Sequence, residues 1–402
     1  MNDESTGLME PMLPEGKHPK IEDLVFTLAQ KSSALASQIH PIIQLSVGEL
    51  VRSLNCYYSN LIEGHNTHPW DIERALTQDY AKEPEKRNLQ LEAIAHIEVQ
   101  KMIDEAVAPN DYPLTEKYIT WLHNEFCSRL PDELLWVENP ESGEKLKVIP
   151  GELRKRIVRV GAHIPPLSEN LSKFMRRFEE AYKPEKLTKQ KRVIAAASSH
   201  HRLLWIHPFL DGNGRVTRLM SYAVLMRESV GSSLWSIARG LARNVNEYKK
   251  LLMEADERRH GELDGRGTLS EKMLANFCIF FLTTCIDQVD YMSSILRLNE
   301  FIPRLERYTE EEVSKKNLPK GSFYLLREVF LMGEVERSKV QELTGYKERM
   351  AREIISTLLR KKLLVSSHHK DTLRLGFPLE AVERWFPGLY PELNLAERKK
   401  MD

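Results

Sequence analysis

The residues best suited to chemistry lie together in HPFLDGNGRVTR, His207 to Arg218. Pro208 breaks a preceding helix near His207. Asp211-Gly212-Asn213-Gly214 then makes a tight loop into a second apolar-periodic helix carrying Val216, Leu219, Met220, Ala223 and Leu225. Two glycines let successive backbone N–H groups point into one concavity, a nest for phosphate oxygens, and the following helix adds its positive N-terminal end. Arg215 and Arg218 are three residues apart, so both guanidinium groups lie on one face of the first turns. There they oppose the helix macrodipole, a conflict that an anionic ligand resolves. His207 titrates near neutral pH and can take a proton from a hydroxyl nucleophile. Asp211 is a hard oxygen ligand suited to Mg²⁺ shared with substrate phosphates. A merely structural polar turn would not need His, Asp, Asn and two Arg around two Gly. The neighbouring His200-His201 pair points to different helix faces and, without an HExxH pattern, is not read as a metal site.

The elements that must hold this constellation are mostly helices. Apolar periodicity predicts helices over 21–39 and 42–62, the second stopped at Glu63 with Gly64 as its C′ residue. Further helices are expected over 87–107, 115–130, 168–181 and 188–204. Between them Leu135 to Val137, Leu146 to Ile149 and Ile157 to Val160 read as short strands. The charged stretch 305–321, ending in Pro319 and Gly321, lacks an apolar face of useful length and reads as a boundary. Three short helical patterns (322–331, 336–343, 347–362) and two β-like runs at 364–365 and 372–375 follow, the layout of a winged helix-turn-helix. The expected fold is mainly α, a helical bundle with a small β-hairpin, plus this C-terminal module. The expected parts are an N-terminal helical region over 1–108, a core over 109–300, a linker over 301–320 and the winged-helix domain over 321–402.

Composition narrows the class. The chain has 402 residues, with 58 basic and 58 acidic side chains, which argues against a globally basic nucleic-acid binder. Cys56, Cys127, Cys278 and Cys285 show no CxxC pairing, which excludes a disulfide scaffold and suits a reducing cytosol. Met1 to Lys20 has no apolar h-region and is not read as a signal peptide. Ala275 to Ile286 is taken as a buried helix too short to span a bilayer. A soluble, cytoplasmic protein without a membrane partner is expected. Residues 343–375 carry five more basic than acidic side chains, from Lys347, Arg349, Arg352, Arg360, Lys361, Lys362, Lys370 and Arg374 against Glu348, Glu353 and Asp371. Nucleic-acid contact through this module stays open, but without a base-reading cluster docking of a protein or a second copy is preferred.

The dodecapeptide resembles the signature HPFxxGNGRxxR of the Fic family, with all eight fixed positions present. The resemblance implies transfer of a nucleotide monophosphate, usually AMP from ATP, to a Ser, Thr or Tyr hydroxyl of a target protein, and self-modification with it. By the same resemblance His207 is the base and Asp211 the Mg²⁺ ligand. Gly212, Asn213 and Gly214 cradle the α- and β-phosphates, Arg215 meets the β-phosphate and Arg218 the γ-phosphate. Ser59-Asn60-Leu61-Ile62-Glu63-Gly64 fits the family's inhibitory pattern [S/T]xxxE[G/N]. Ser59 and Glu63 are i, i+4 on one helix face, and the family reading pairs Glu63 with Arg218 against the γ-phosphate. Gly151 to Gly161 with Pro165-Pro166 resembles the flap that holds the target by strand addition, its Arg154, Lys155, Arg156 and Arg159 favouring an acidic target. Asn244 to Asp256 resembles the segment over the adenine: Tyr248 either packs on the base or belongs to the core, and Asp256 approaches the purine edge or ribose. Three alternatives stay open: transfer of another nucleotide or a phosphoryl group, removal of AMP with Glu63 aligning a water, and a DNA-binding regulator whose site senses nucleotide.

Overall fold

The computed structural model describes residues 4–138, 143–368 and 371–391. In chain order its helices are α1 (Pro19–Ser37), α2 (Pro41–Glu63), α3 (Pro69–Leu76), α4 (Pro84–Asp104), α5 (Glu116–Cys127), α6 (Leu171–Ala181), α7 (Lys189–Ile206) and α8 (Asn213–Arg227). They continue as α9 (Ile237–Arg243), α10 (Val245–Ala255), α11 (Glu271–Leu296), α12 (Leu298–Ser314), α13 (Ser322–Met332), α14 (Val340–Thr344), α15 (Glu348–Arg360) and α16 (Leu379–Trp385). The strands are β1 (Trp136–Glu138), β2 (Lys145–Lys147), β3 (Glu334–Val335), β4 (Leu364–Val365) and β5 (Leu373–Leu375). Residues 4–33 with 55–289 form one compact unit, and 34–54 with 290–391 another. Residues 34–54 thus group with the C-terminal elements rather than with the N-terminal helical region expected over 1–108.

In the first unit α7 and α8 pack side by side, with α4 and α5 against α8 and α6 against α7. Ala195, Ala196, Ala197, Ser198 and Ser199 are fully buried on α7, and their small side chains admit close approach of the neighbouring helix. α8 is buried almost all round, from Val216 to Leu225, which marks a central helix. The N-terminal segment braces α7 just upstream of His207: Arg202 donates from Nε (3.1 Å) and Nη2 (2.9 Å) to the Pro11 carbonyl. β1 and β2 form an antiparallel hairpin, with Trp136 opposite Lys147 and Glu138 opposite Lys145. The turn residues Pro140, Glu141 and Ser142 lie outside the described residues.

Two expectations change. Ile157 to Val160 is no strand, and the basic stretch from Gly151 makes only one bridge, Val160 to His163. Arg154 is the reason. It is buried, and its guanidinium donates inward to the carbonyls of Arg156, Pro166 and His207, which holds the backbone off any ladder. Only Lys155, Arg156 and Arg159 of its four cations face solvent. The apolar stretch around Ala275 also belongs to a longer helix than expected. Among the described residues α11 is the one helix long and apolar enough to cross a membrane. Phe277, Cys278, Phe281, Leu282 and Cys285 are fully buried along it, as in a core helix.

The second unit contains the third change. Residues 301–320 are not a linker: α12 occupies most of that range. Phe301 on α12 stacks on Phe330 at 4.1 Å between centroids and meets Trp385 edge-on at 5.9 Å, and Tyr308 meets Trp385 at 5.5 Å. Aromatics spaced seven apart gave the helix its buried stripe, which the surrounding charges hid. After α12 the order is α13, β3, α14, α15, β4, β5, with an antiparallel sheet ordered β3-β5-β4. β3 was not foreseen, because Glu334-Val335 lacks the apolar pair that marked Leu364-Val365. Lys370 lies outside the described residues. Emptying this aromatic cluster tests the reassignment: Phe301→Ala should destabilise the second unit by about 3–5 kcal/mol, the usual range for a buried Phe. Pulse proteolysis in urea, read on peptides from 290–391, measures it, and a residue of a true linker would show no loss.

Candidate active site

The motif forms the crossing between α7 and α8. His207 ends α7 in the left-handed region, φ 50° and ψ 62°, while its N–H still donates to the Leu203 carbonyl at 2.9 Å. Gly212 caps α8 at φ 78°, a backbone conformation that favours glycine. Asn213 closes the loop: its Oδ1 accepts from the Phe209 N–H at 2.9 Å and its Nδ2 donates to the Phe209 carbonyl at 2.8 Å. The Asn213 side chain is therefore spent on shaping the loop, and what it offers an anion is its main-chain N–H. The N–H groups from Gly212 to Arg215 precede the first intrahelical bond, Val216 to Gly212 at 3.0 Å, and make the positive end of the helix.

A carboxylate from another helix meets that end. α2 finishes in a Schellman motif: the His65 N–H donates to Asn60 O at 2.9 Å, the Gly64 N–H to Leu61 O at 3.1 Å, and Gly64 has φ 87°. Glu63, the last helical residue, is thereby directed at α8. A Cβ at residue 214 would collide with Glu63 Oε1, so glycine there lets the carboxylate lie against the first turn. Arg218, 3% exposed, donates from Nε to Ser59 Oγ at 2.8 Å and from Nη2 to Glu63 Oε1 at 2.5 Å. Burial alone would push the Glu63 carboxyl up; Arg218 outweighs it and holds the group below the usual range. Ser59, Glu63 and Gly64 are thus all gathered at Arg218 and the end of its partner helix.

Sequence reasoning missed the carboxylate opposite Arg215. Glu92 on α4 is buried and pairs with Arg215 Nη1 and with His65 Nδ1 at 3.0 Å. The Arg215 guanidinium also lies 5.1 Å from the Phe126 ring centroid, and its Nη2 is 3.8 Å from Asp211. Glu92 sits inside an expected helix among alanines and isoleucines, where a lone acid on an apolar face was the available signal. Asp211 is half-exposed at the loop tip. Among the described residues no three His, Cys, Asp or Glu groups converge as a metal site. One accessible carboxylate beside an anion nest fits a divalent ion delivered with phosphates, such as Mg²⁺, better than a resident one.

His207 is not poised near neutrality as its ordinary value suggested. Burial, and then the Arg154 charge, push it down to about 4, so the imidazole is neutral across physiological pH. Arg154 Nε donates to the His207 carbonyl at 2.8 Å, and the Arg154 N–H to the Pro208 carbonyl at 2.9 Å. A residue read as part of a surface flap is in fact the support of the histidine. The adenine-side expectations also shift. Tyr248 is 2% exposed, with its hydroxyl 2.7 Å from His200 Nε2 and its ring beside Phe277, so it belongs to the core and presents no face to a base. Asp256 is engaged by His201 Nε2 at 3.1 Å, a partner the sequence did not suggest.

A helical core in which a His-led loop opens into an arginine-bearing helix makes a concavity suited to an anion. Residues 113–225 match the model of the Fic/DOC family. Stretches of it are similar to proteins named protein adenylyltransferase Fic: 46% identical over 77 residues in Drosophila erecta, covering 19% of this chain and 16% of the relative. In Nematostella vectensis the identity is 34% over 176 residues, covering 42% and 36%. The matches thus span well under half the length of these relatives. A solved Fic family protein from Desulfovibrio desulfuricans G20 aligns over 91% of this chain and 98% of its own, with a TM-score of 0.52 at 16% identity, a likeness of fold.

Five histidines in this unit, four of them fully enclosed and His207 partly so, are depressed chiefly by burial: His96 to about 3, His123 and His207 to about 4, with His200 and His201 also lowered. The unfolded chain binds protons there first, near pH 6.5. Their contribution is therefore complete above about pH 6.5 and is lost as pH falls toward the folded values. Urea midpoints should drop steadily from about pH 6.5 down to about pH 4, against the opposing contribution of His65, which its hydrogen bond to Glu92 raises. His96, whose ring nitrogens have no hydrogen-bond partner among the described residues, should give a shallower slope as His96→Leu. A flat wild-type profile between pH 5 and 7 would contradict the neutral-histidine core.

Proposed function

We propose that this protein transfers AMP from ATP to a hydroxyl of a protein target and that Glu63 holds the enzyme silent. The observation that carries the reading is the Glu63 carboxylate lying against Gly214 and bonded to Arg218, where the outer phosphates of a nucleotide would lie. An acid placed on an anion nest occupies it as a substrate mimic. The adenylyltransferase activity for which the Drosophila and Nematostella relatives are named supports the same chemistry.

In this reading neutral His207 accepts the proton of the attacking Ser, Thr or Tyr hydroxyl. The hydroxyl oxygen forms its bond to the α-phosphorus as the bond to the leaving pyrophosphate breaks. The N–H groups of Gly212, Asn213 and Gly214 and the Arg215 guanidinium meet the charge on the α- and β-phosphate oxygens, a fixed array that needs no reorganisation. Asp211 would hold Mg²⁺, which when bound supplies charge neutralisation to the phosphates. Arg218 receives the γ-phosphate once Glu63 withdraws. The part expected over 321–402 is read as a winged helix: α15 exposes Arg349, Arg352 and Arg360, with Lys347 exposed just before it, a surface for docking a protein. The target lies along the segment from Gly151, and the chain itself is among the candidate acceptors.

The test is Glu63→Gly. A charge-assisted Arg–carboxylate pair is strong enough that freeing Arg218 should raise transfer at least about ten-fold, since about 1.4 kcal/mol corresponds to ten-fold. Full-length wild type and Glu63→Gly are incubated with cell lysate, Mg²⁺ and ATP labelled at the α- or the γ-phosphate. Label above that of lysate alone should enter protein from the α position only, and the double variant Glu63→Gly/His207→Ala should lose at least about 10²-fold of it. Label entering from the γ position would mean phosphoryl transfer. No gain from a folded Glu63→Gly would remove the inhibitory role.

A further inference from the structure

His123 on α5 belongs to none of the sequence motifs, yet its buried ring connects two of them. Its Nδ1 accepts the Gly151 N–H at 2.8 Å. An accepting nitrogen carries no proton, so in the neutral ring the proton sits on Nε2, 3.3 Å from the Asp211 carbonyl that accepts it. The ring also stacks flat on Phe209, at 3.9 Å and 5°. Both loops rest on the same helix. A Cβ at residue 212 would lie 3.6 Å from His123 Cδ2, and one at residue 151 would lie 3.1 Å from Asn124 Cβ and 3.4 Å from the Thr120 carbonyl. Gly151 and Gly212 have φ 77° and 78°, so two left-handed turns meet one side of α5.

The two tethered pieces have different tasks. One is the anion loop, through the carbonyl of Asp211. The other is the chain that leaves Gly151 and, through Arg154, reaches the His207 carbonyl. In-line attack tolerates little error in the separation of hydroxyl, base and phosphorus. A common anchor removes one source of that error. We propose that His123 is a positioning residue that fixes the anion loop and the Gly151 turn to one rigid helix, holding the nucleotide and target sides of the site in register. The proposal rests on the reading of the loop as a Mg·ATP site.

The side-chain geometry lets the two tethers be cut separately, each time in the full-length Glu63→Gly protein. Asn places its amide near the Nδ1 position and can keep the Gly151 bond. Gln reaches the Nε2 position and can keep the Asp211 bond. Phe keeps the ring on Phe209 and loses both. The readouts are the Mg·ATP dissociation constant by calorimetry and hydrogen exchange of peptides spanning Gly151. His123→Asn should weaken Mg·ATP about three- to ten-fold, the range for one lost hydrogen bond, with exchange at Gly151 unchanged. His123→Gln should speed exchange at Gly151 by a similar factor and leave Mg·ATP affinity near the parent's, and His123→Phe should do both. If the Phe variant does not fold, the Asn and Gln pair decides. Parental Mg·ATP affinity and parental exchange in folded variants would overturn the proposal while leaving the nucleotide reading intact. A Glu63→Gly parent that binds no Mg·ATP would overturn the nucleotide reading itself, and the role of His123 with it.

Discussion

Two arginines in the first turns of a buried helix, beside the positive end of its own dipole, are the constraint that organises the first unit. α8 is enclosed almost all round, so Arg215 and Arg218 have little water to screen them. A buried charge that loses its partner costs several kcal/mol, and each guanidinium is met. α2 supplies Ser59 and Glu63, α4 supplies Glu92, and α5 supplies the face of Phe126. Three helices are thus drawn around α8 by the need to answer its charge. The same need explains the glycine at 214, because a side chain there would displace the Glu63 carboxylate.

Neutral imidazoles complete the interior around these charges. Ser221 Oγ donates to the Thr217 carbonyl at 2.9 Å and lies 2.8 Å from His200 Nδ1, and Tyr248 lies on the other nitrogen at 2.7 Å. A consistent assignment has the Nδ1 proton given to Ser221 and the Tyr248 hydroxyl donating to Nε2. Tyr248 is then committed to a chain of neutral hydrogen bonds, which is why a tyrosine at a plausible distance from the motif does not become a base-stacking residue. Burial first, and then arginines nearby, keep these rings from protonating: Arg218 acts on His96 and His200, and Arg202 on His201. The interior can hold histidines close to guanidinium groups only because they stay uncharged.

Residues adjacent in sequence were legible. Pro208, Gly212 and the i, i+3 arginines defined the turn and its helix from local rules, and the i, i+4 pair Ser59 and Glu63 reached one guanidinium as its spacing implied. The Gly64 helix stop appears as a complete Schellman motif. Residues whose partners lie far along the chain were not legible. Glu92 and His123 sit in expected helices and looked like ordinary helix positions, since nothing local shows that the missing partner is Arg215 or Gly151. Arg154 was misread for the opposite reason: three basic neighbours suggested a solvated surface, whereas its own contacts turn it inward. The stripe of α12 was missed because Tyr308 is followed by a strongly charged run and Pro303 interrupts the pattern after Phe301, and composition outweighed spacing.

The two acids on the arginine pair differ in a way that bears on regulation. Glu92 has 4% of its side chain exposed and answers two groups, Arg215 and His65. Withdrawing it would leave a buried guanidinium and a histidine unpaired together. Glu63 has 31% of its side chain exposed and stands on the last residue of a helix, followed by a glycine with open space around it. Water can replace much of what Glu63 gives up, and Ser59 Oγ and the Ser59 carbonyl still hold Arg218 after it leaves. Glu63 is therefore the acid that can withdraw at modest cost, whereas Glu92 is a fixed counter-charge. On the reading proposed for the site, that asymmetry gives Arg215 a fixed counter-charge and Arg218 an exchangeable one, so the choice between silence and activity reduces to which anion lies on Arg218.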